Sequence, residues 1–185
     1  MAGASVTLEK DIDYCKEVTM SLRSIVSGHI HRIFVAQIAY AHCDIPCGIY
    51  DPHLAQIAAL TTVRMNQLIN DLGGDIASAQ DRAKLARYIA VKEEHAELCK
   101  NELRILWGDY FKPEHLEQNP QIHELFWTGM KQASKVRQAV NLEEAQALLS
   151  KVHQIAEAFW ATKGVATCLQ PSNQTGGGEL IYPCK

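Results

Sequence analysis

DPHLAQIAALTTVRMNQLINDLGG, residues 51–74, is the stretch on which the fold turns. Asp51 offers an N-cap with Pro52 at the first helical position, and Leu54, Ile57, Thr61, Met65, Leu68 and Leu72 then recur at helical spacing. Gly73-Gly74 stops the pattern. The stretch predicts one amphipathic helix with that stripe as its core face.

Three further stripes follow. Leu85, Ile89, Ala96, Cys99, Leu103 and Leu106 mark a second helix from near Ile76 to Trp107, ended by Lys112-Pro113. Ile122, Leu125, Phe126, Gly129, Met130 and Ala133 mark a third, after Pro120. Asn141, with Glu144 three residues on, reads as a capping box opening a fourth, where Leu148, Val152, Ile155 and Phe159 face inward. Four stripes with short connections predict an all-α, antiparallel four-helix bundle. Ahead of it, Leu8, Ile12, Cys15, Thr19, Leu22, Val26, Ile30 and Ile33 predict a helical leader. The expected organisation is a leader over 1–41, a hook-plus-bundle domain over 42–164 and a flexible tail over 165–185, where periodicity is lost.

Composition agrees with a helical class. The chain has 185 residues, 47% hydrophobic and only 7% aromatic, and no run of alternating β-branched residues. A net charge of −3 without a basic stripe argues against nucleic acid or an anionic membrane as partner. No stretch reaches the ~18 uninterrupted apolar residues of a membrane span. Ala39-Tyr40-Ala41 mimics a signal-peptidase site, but Glu9, Asp11, Asp13 and Glu17 leave no basic region before it and also exclude a transit peptide. Six irregularly spaced cysteines fit a reducing compartment with one specialised pair, so the expected location is cytoplasmic, with an organelle equally compatible.

That pair lies just upstream of the first helix, in His42-Cys43-Asp44-Ile45-Pro46-Cys47-Gly48-Ile49-Tyr50. Pro46 fixes its own φ and restricts Ile45 to extended geometry, while Gly48 lets the chain double back. A tight loop then aims both sulfurs at one point, and a cis peptide before Pro46 is one way to close it. Two thiolates select nickel, copper or zinc. The His42 imidazole and the Cys43 backbone amide extend the donor set towards square-planar N/S coordination, which favours nickel or copper over tetrahedral zinc. A cut between Ala41 and His42 offers a second way to complete the square, because the new α-amine stands one chelate ring from the Cys43 amide. Two functions remain open on these residues: a redox metalloenzyme, or a non-enzymatic helical carrier or sensor of nickel, copper or zinc through Cys43 and Cys47.

The nine residues, with Asp51-Pro52 after them, resemble the nickel hook of the nickel-dependent superoxide dismutase family, H-C-x-x-P-C-G-x-Y. The similarity continues through Lys92-Glu93-Glu94, Leu106-Trp107-Gly108-Asp109-Tyr110-Phe111-Lys112-Pro113 and the stretch near Phe159-Trp160, over about residues 42 to 164. The resemblance implies a four-helix-bundle subunit, a hexamer, and a leader removed by a peptidase cutting between Ala41 and His42. It also implies a nickel ion cycling between divalent and trivalent states to disproportionate superoxide. Its implied ligands are the α-amine and imidazole of His42, the backbone nitrogen and thiolate of Cys43 and the thiolate of Cys47. It further implies that Tyr50 limits access to the open face, with Tyr110 and Asp44 ordering water and protons. Some members carry Glu and Arg where this chain has Ala58 and His95, and those groups help hold the axial imidazole. His95 is the residue expected to take over part of that contact.

The remaining chemistry-bearing residues have plainer readings. Lys92, Arg104 and Lys112 read as solvated cations. Cys15, Cys99, Cys168 and Cys184 read as buried small hydrophobes or tail thiols. His29, His31, His53, His95, His115, His123 and His153 form no second metal cluster by spacing.

Overall fold

The computed structural model of the chain describes residues 47–74 and 76–184. The predicted leader helix, the cis peptide considered before Pro46, and His42, Cys43 and Asp44 lie outside the described residues. The helices are α1 (His53–Asp71), α2 (Ala79–Ile105), a one-turn α3 (Pro113–Gln118), α4 (Ile122–Gln138) and α5 (Leu142–Thr162). A π-helical turn, Leu106–Tyr110, continues α2, and strands β1 (Thr167–Pro171) and β2 (Glu179–Pro183) end the described chain. The long helices close a ring in which α1 packs on α2, α2 on α4, α4 on α5 and α5 on α1. This is the expected four-helix bundle.

Local chemistry sets the helix ends. Asp51 Oδ1 accepts the His53 backbone N–H at 2.7 Å, and Pro52, at φ −74°, supplies the preset first turn. Gly73, at φ +71°, ends α1 in the left-handed conformation that a side chain resists. Ser78 caps α2 by accepting the Asp81 N–H at 3.0 Å, and Asn141 caps α5 by accepting from Glu144 N at 3.1 Å. Pro113 does stop the second helix, since Lys112 before it is extended at φ −120°, ψ 165°. The same proline opens α3, a helix the spacing did not predict.

The core centres on Phe126, Phe159, Leu103, Ile122, Leu148 and Ile155, with the stripes of α4 and α5 largely as expected. The first helix differs. Its buried face is Ala55, Gln56, Ala58, Ala59, Leu60, Thr62, Val63 and Asn66, whereas Leu54 is 58% exposed and Ile57, Thr61, Met65 and Leu68 are only partly covered. Half of that face, Ala55, Ala58, Ala59 and Thr62, is small, and small residues let neighbouring helices pack onto α1 in place of the larger stripe.

Lys92 is a second correction, because it is buried rather than solvated. Its ammonium donates to the carbonyls of Val136, Arg137 and Ala139 at 2.7, 3.0 and 2.8 Å, which closes the C-terminal end of α4. Burial pulls the Lys92 pKa below the ordinary lysine value, and the carboxylate of Glu93 pulls it back up. Three acceptors for three N–H bonds compensate the desolvated charge.

Residues 167–183 overturn the expected flexible tail. They form an antiparallel hairpin with Cys168 opposite Tyr182, and Cys168 and Cys184 are joined as a disulfide instead of standing as tail thiols. Leu180 and Ile181 are buried, and Gln56 of α1 holds Ile181 through both its backbone groups, Nε2 to the carbonyl at 3.0 Å and Oε1 from the N–H at 2.7 Å. His153 of α5 reaches the Glu179 carbonyl at 3.0 Å. Short strands give weak periodicity, and the docking partner lies 125 residues away, so the sequence carried little sign of it.

The disulfide spans 16 residues, a loop whose closure is worth about 3 kcal/mol against the unfolded chain. Cys168→Ser is therefore expected to lower unfolding free energy by about that amount in urea titrations, and reductant to lower the wild type equally. Identical midpoints with and without reductant would contradict the clip.

Candidate metal centre

Cys47-Gly48-Ile49-Tyr50 runs directly into the capped start of α1, so the turn is anchored to the bundle at one end. Cys47 is exposed and in no disulfide, and its sulfur accepts the Ile49 N–H at 3.5 Å. Gly48 takes φ +71° with open space around it. That left-handed residue reverses the chain after the thiol, the role expected for it. Ile49 is 79% exposed.

Tyr50 is half-buried and packs on the core margin, its ring 5.5 Å from that of Tyr110 and tilted by 55°. Two clefts, each of about 410 Å3, share Tyr50 in their walls. One is lined by Cys47, Ile49, His53, Leu54, Glu102 and Ile105 among others. The other is lined by Gly48, Asp109, Tyr110, Lys112 and His115. Tyr50 thus separates the thiol side from the Tyr110 side.

Tyr110 owes its place to the π turn, which is closed by Phe111 N donating to the Leu106 carbonyl at 3.1 Å. Widening the last turn of α2 re-aims the side chain at its end, a frequent device at functional sites. The Tyr110 ring lies 4.5 Å from Phe159, 5.2 Å from Phe111 and 5.6 Å from His115, with which it stacks at 22°. Its hydroxyl is 2.5 Å from Thr162 Oγ1 at the end of α5. Lys163 stands over the Tyr110 and Phe159 rings at 5.3 and 5.1 Å, and Lys112 lines the cleft. The cleft lining itself carries one cation, Lys112, and one carboxylate, Asp109, and Lys112 is exposed, as expected of a solvated cation.

Of the expected site residues, Tyr50 and Tyr110 are brought together and Cys47 lines a cleft that Tyr50 shares. His42, Cys43 and Asp44 lie outside the described residues. Among the described residues no three His, Cys, Asp or Glu side chains gather as a metal site, so they supply one candidate ligand, Cys47. An exposed, unpaired thiol on a reversed turn fits a thiolate-rich nickel site. Ala58 is fully buried, and His95 holds the Val91 carbonyl of its own helix at 2.9 Å through Nδ1. Sequence reasoning missed Thr162, Lys163 and His115, because no motif or spacing links them to Tyr110.

A family model described as nickel-containing superoxide dismutase matches residues 37–163, more than half of the chain. The superoxide dismutase [Ni] of Streptomyces coelicolor is 36% identical over 135 residues, covering 72% of this chain and 98% of the relative. That of Streptomyces seoulensis is 35% identical over the same shares. The native structure of a nickel superoxide dismutase aligns with TM-score 0.60 and 34% identity, over 66% of this chain and 99% of the other. Another, with nickel ligation corresponding to the oxidised state, aligns with TM-score 0.58 and 36% identity over the same shares. The Cys168–Cys184 hairpin lies beyond the family match.

Burial pushes the Cys99 thiol up to about 12, with the Glu102 carboxylate adding to the shift. In metal-free protein at neutral pH, a thiol alkylating agent is expected to modify Cys47 and spare Cys99 until denaturant is added. Peptide mass mapping reads this directly. Early modification of Cys99 would mean that the α2 core face opens.

Proposed function

The chain belongs to the nickel-containing superoxide dismutase family, and from that premise we propose how its own residues make the catalyst. The reaction is disproportionation of superoxide. One radical anion gives up an electron and becomes oxygen, and a second takes that electron with two protons and becomes hydrogen peroxide. Nickel, when bound, supplies one-electron chemistry between its divalent and trivalent states. The family match disfavours the carrier or sensor alternative.

His42 would hold the ion through its α-amine and imidazole, Cys43 through its backbone nitrogen and thiolate, and Cys47 through its thiolate. Anionic sulfur and amide donors stabilise the higher oxidation state, which hydrated nickel does not reach readily. The observation that carries this reading is the free, exposed Cys47 on a left-handed turn, three residues before a tyrosine packed on Tyr110. Tyr50 limits access to the open face, and Tyr110 and Asp44 order the water through which protons arrive. Restricting access also protects the thiolates from the peroxide formed beside them.

In the uncut chain the His42 nitrogen is tied up in its peptide bond to Ala41. Removal of residues 1–41 by a peptidase therefore switches the site on. The apolar stripe Leu54, Ile57, Met65 and Leu68 on α1, which the bundle leaves only partly covered, supports assembly with further copies, which the family resemblance gives as a homohexamer. No helix among the described residues is long and apolar enough to cross a membrane. The four carboxylates among residues 1–41, matched by four Lys and Arg, argue against a transit peptide and favour the cytoplasm, while the Cys168–Cys184 disulfide, a bond that reducing compartments rarely keep, makes an organelle the other option.

Cys47→Ser is expected to cut dismutation by more than about a hundredfold, a loss on the scale of removing a metal-site partner, while circular dichroism and unfolding midpoint stay near wild type. Normal dismutation by this variant would refute the ligand set. The intact mass of active protein from its source is expected to correspond to a chain beginning at His42. Full activity with residues 1–41 retained would sink the cleavage step.

A further inference from the structure

Resting on the reading of Tyr110 as a member of the site, we propose that Thr162 is a positioning residue that fixes the direction of the Tyr110 hydroxyl. Tyr110 then faces the cleft as a hydrogen-bond acceptor and is removed from the possible proton donors.

The argument starts from the end of α5. The last carbonyls of a helix lack intrahelical partners, and Phe159 is in that last turn. Thr162 Oγ1 lies 2.6 Å from the Phe159 carbonyl oxygen, and only a proton between the two makes so short a contact favourable. A hydroxyl has one proton, so the threonine proton is spent there. Thr162 Oγ1 is also 2.5 Å from the Tyr110 hydroxyl, and this second contact needs a proton of its own. Tyr110 must supply it.

The result is a directed chain from the Tyr110 hydroxyl to the Thr162 hydroxyl to the Phe159 carbonyl. It runs towards the negative end of the α5 dipole, and each bond polarises the next. The phenol ring has little freedom to turn away, because Phe159, Phe111, His115 and Lys163 pack around it. Its remaining hydrogen-bonding capacity is the lone pairs of its oxygen. On the cleft shared with Tyr50, Asp109, Lys112 and His115, Tyr110 can therefore hold a water by accepting from it. The two protons that peroxide formation consumes must leave from other groups.

The test uses Thr162→Val, which keeps the side-chain shape and removes both hydrogen bonds, with Thr162→Ser as the rescue. Ultraviolet resonance Raman reads whether a phenol donates or accepts through the intensity ratio of its tyrosine Fermi doublet. Subtracting Tyr110→Phe from wild type isolates this tyrosine. The wild-type difference is expected to be donor-type, lost in Thr162→Val and restored in Thr162→Ser. In nickel-loaded enzyme, stopped-flow dismutation is expected to fall roughly fivefold in kcat for Thr162→Val, the equivalent of one hydrogen bond, with KM little changed and recovery in Thr162→Ser. An acceptor-only signal for Tyr110 in the wild type overturns the proposal, as does a donor signal that survives in Thr162→Val. Wild-type turnover by Tyr110→Phe would instead remove Tyr110 from the site, whatever the Raman spectrum shows, so the two failures are distinguishable.

Discussion

Ala55, Ala58, Ala59 and Thr62 give α1 a face without a large side chain, and α1 is buried on it by drawing α2 and α5 close. The helix is thereby held against both neighbours, and the turn before it is held with it. Pro52 is buried and Asp51 caps the helix through its own carboxylate, so the chain cannot swing freely between Tyr50 and the bundle. The position of Cys47 follows from this packing. A looser first helix would leave the thiol on a mobile end and separate Tyr50 from Tyr110.

Two of the polar side chains carried into the interior, Gln56 and Lys92, are satisfied from far along the chain. Gln56 pairs with the backbone of Ile181 much as a neighbouring strand would, and Lys92 closes the carbonyl end of α4. Leaving such a buried group unpaired costs about 1–3 kcal/mol, more for a charge, so each contact also selects against arrangements that miss it. The hairpin is consequently part of the folded unit. Its Tyr182 ring lies 5.7 Å from that of His53, one of the residues lining the cleft beside Cys47. Residues beyond the family match thus reach the first turn of the helix that carries the hook.

The two walls of the site differ in how they are built. Tyr110 rests on a π turn, four ring contacts and the end of α5, a rigid surround in which geometry can direct a hydroxyl. Cys47 and Ile49 stand out in solvent on a reversed turn, with the capped helix as their support. A preorganised wall and an exposed thiol, with Tyr50 between them, suit a reaction on a small anion, which needs positioned water and protons more than an enclosing pocket.

The sequence by itself determined that four helices form, where proline, glycine and capping residues end them, and that Cys47 follows a proline and precedes a glycine that turns the chain. Those features depend on spacing and on the backbone limits of single residues, which act locally. It also carried the family resemblance, since the hook is a contiguous run. The buried face of α1 was misread because periodicity ranks residues by size and polarity, whereas close helix packing rewarded Ala58 and Ala59 over Leu54. The burial of Lys92, the hairpin and its disulfide, and the partnership of Thr162 with Tyr110 were decided only by the tertiary structure. They join groups up to 125 residues apart, and the free energy of such a contact appears only when other elements have already brought its members together.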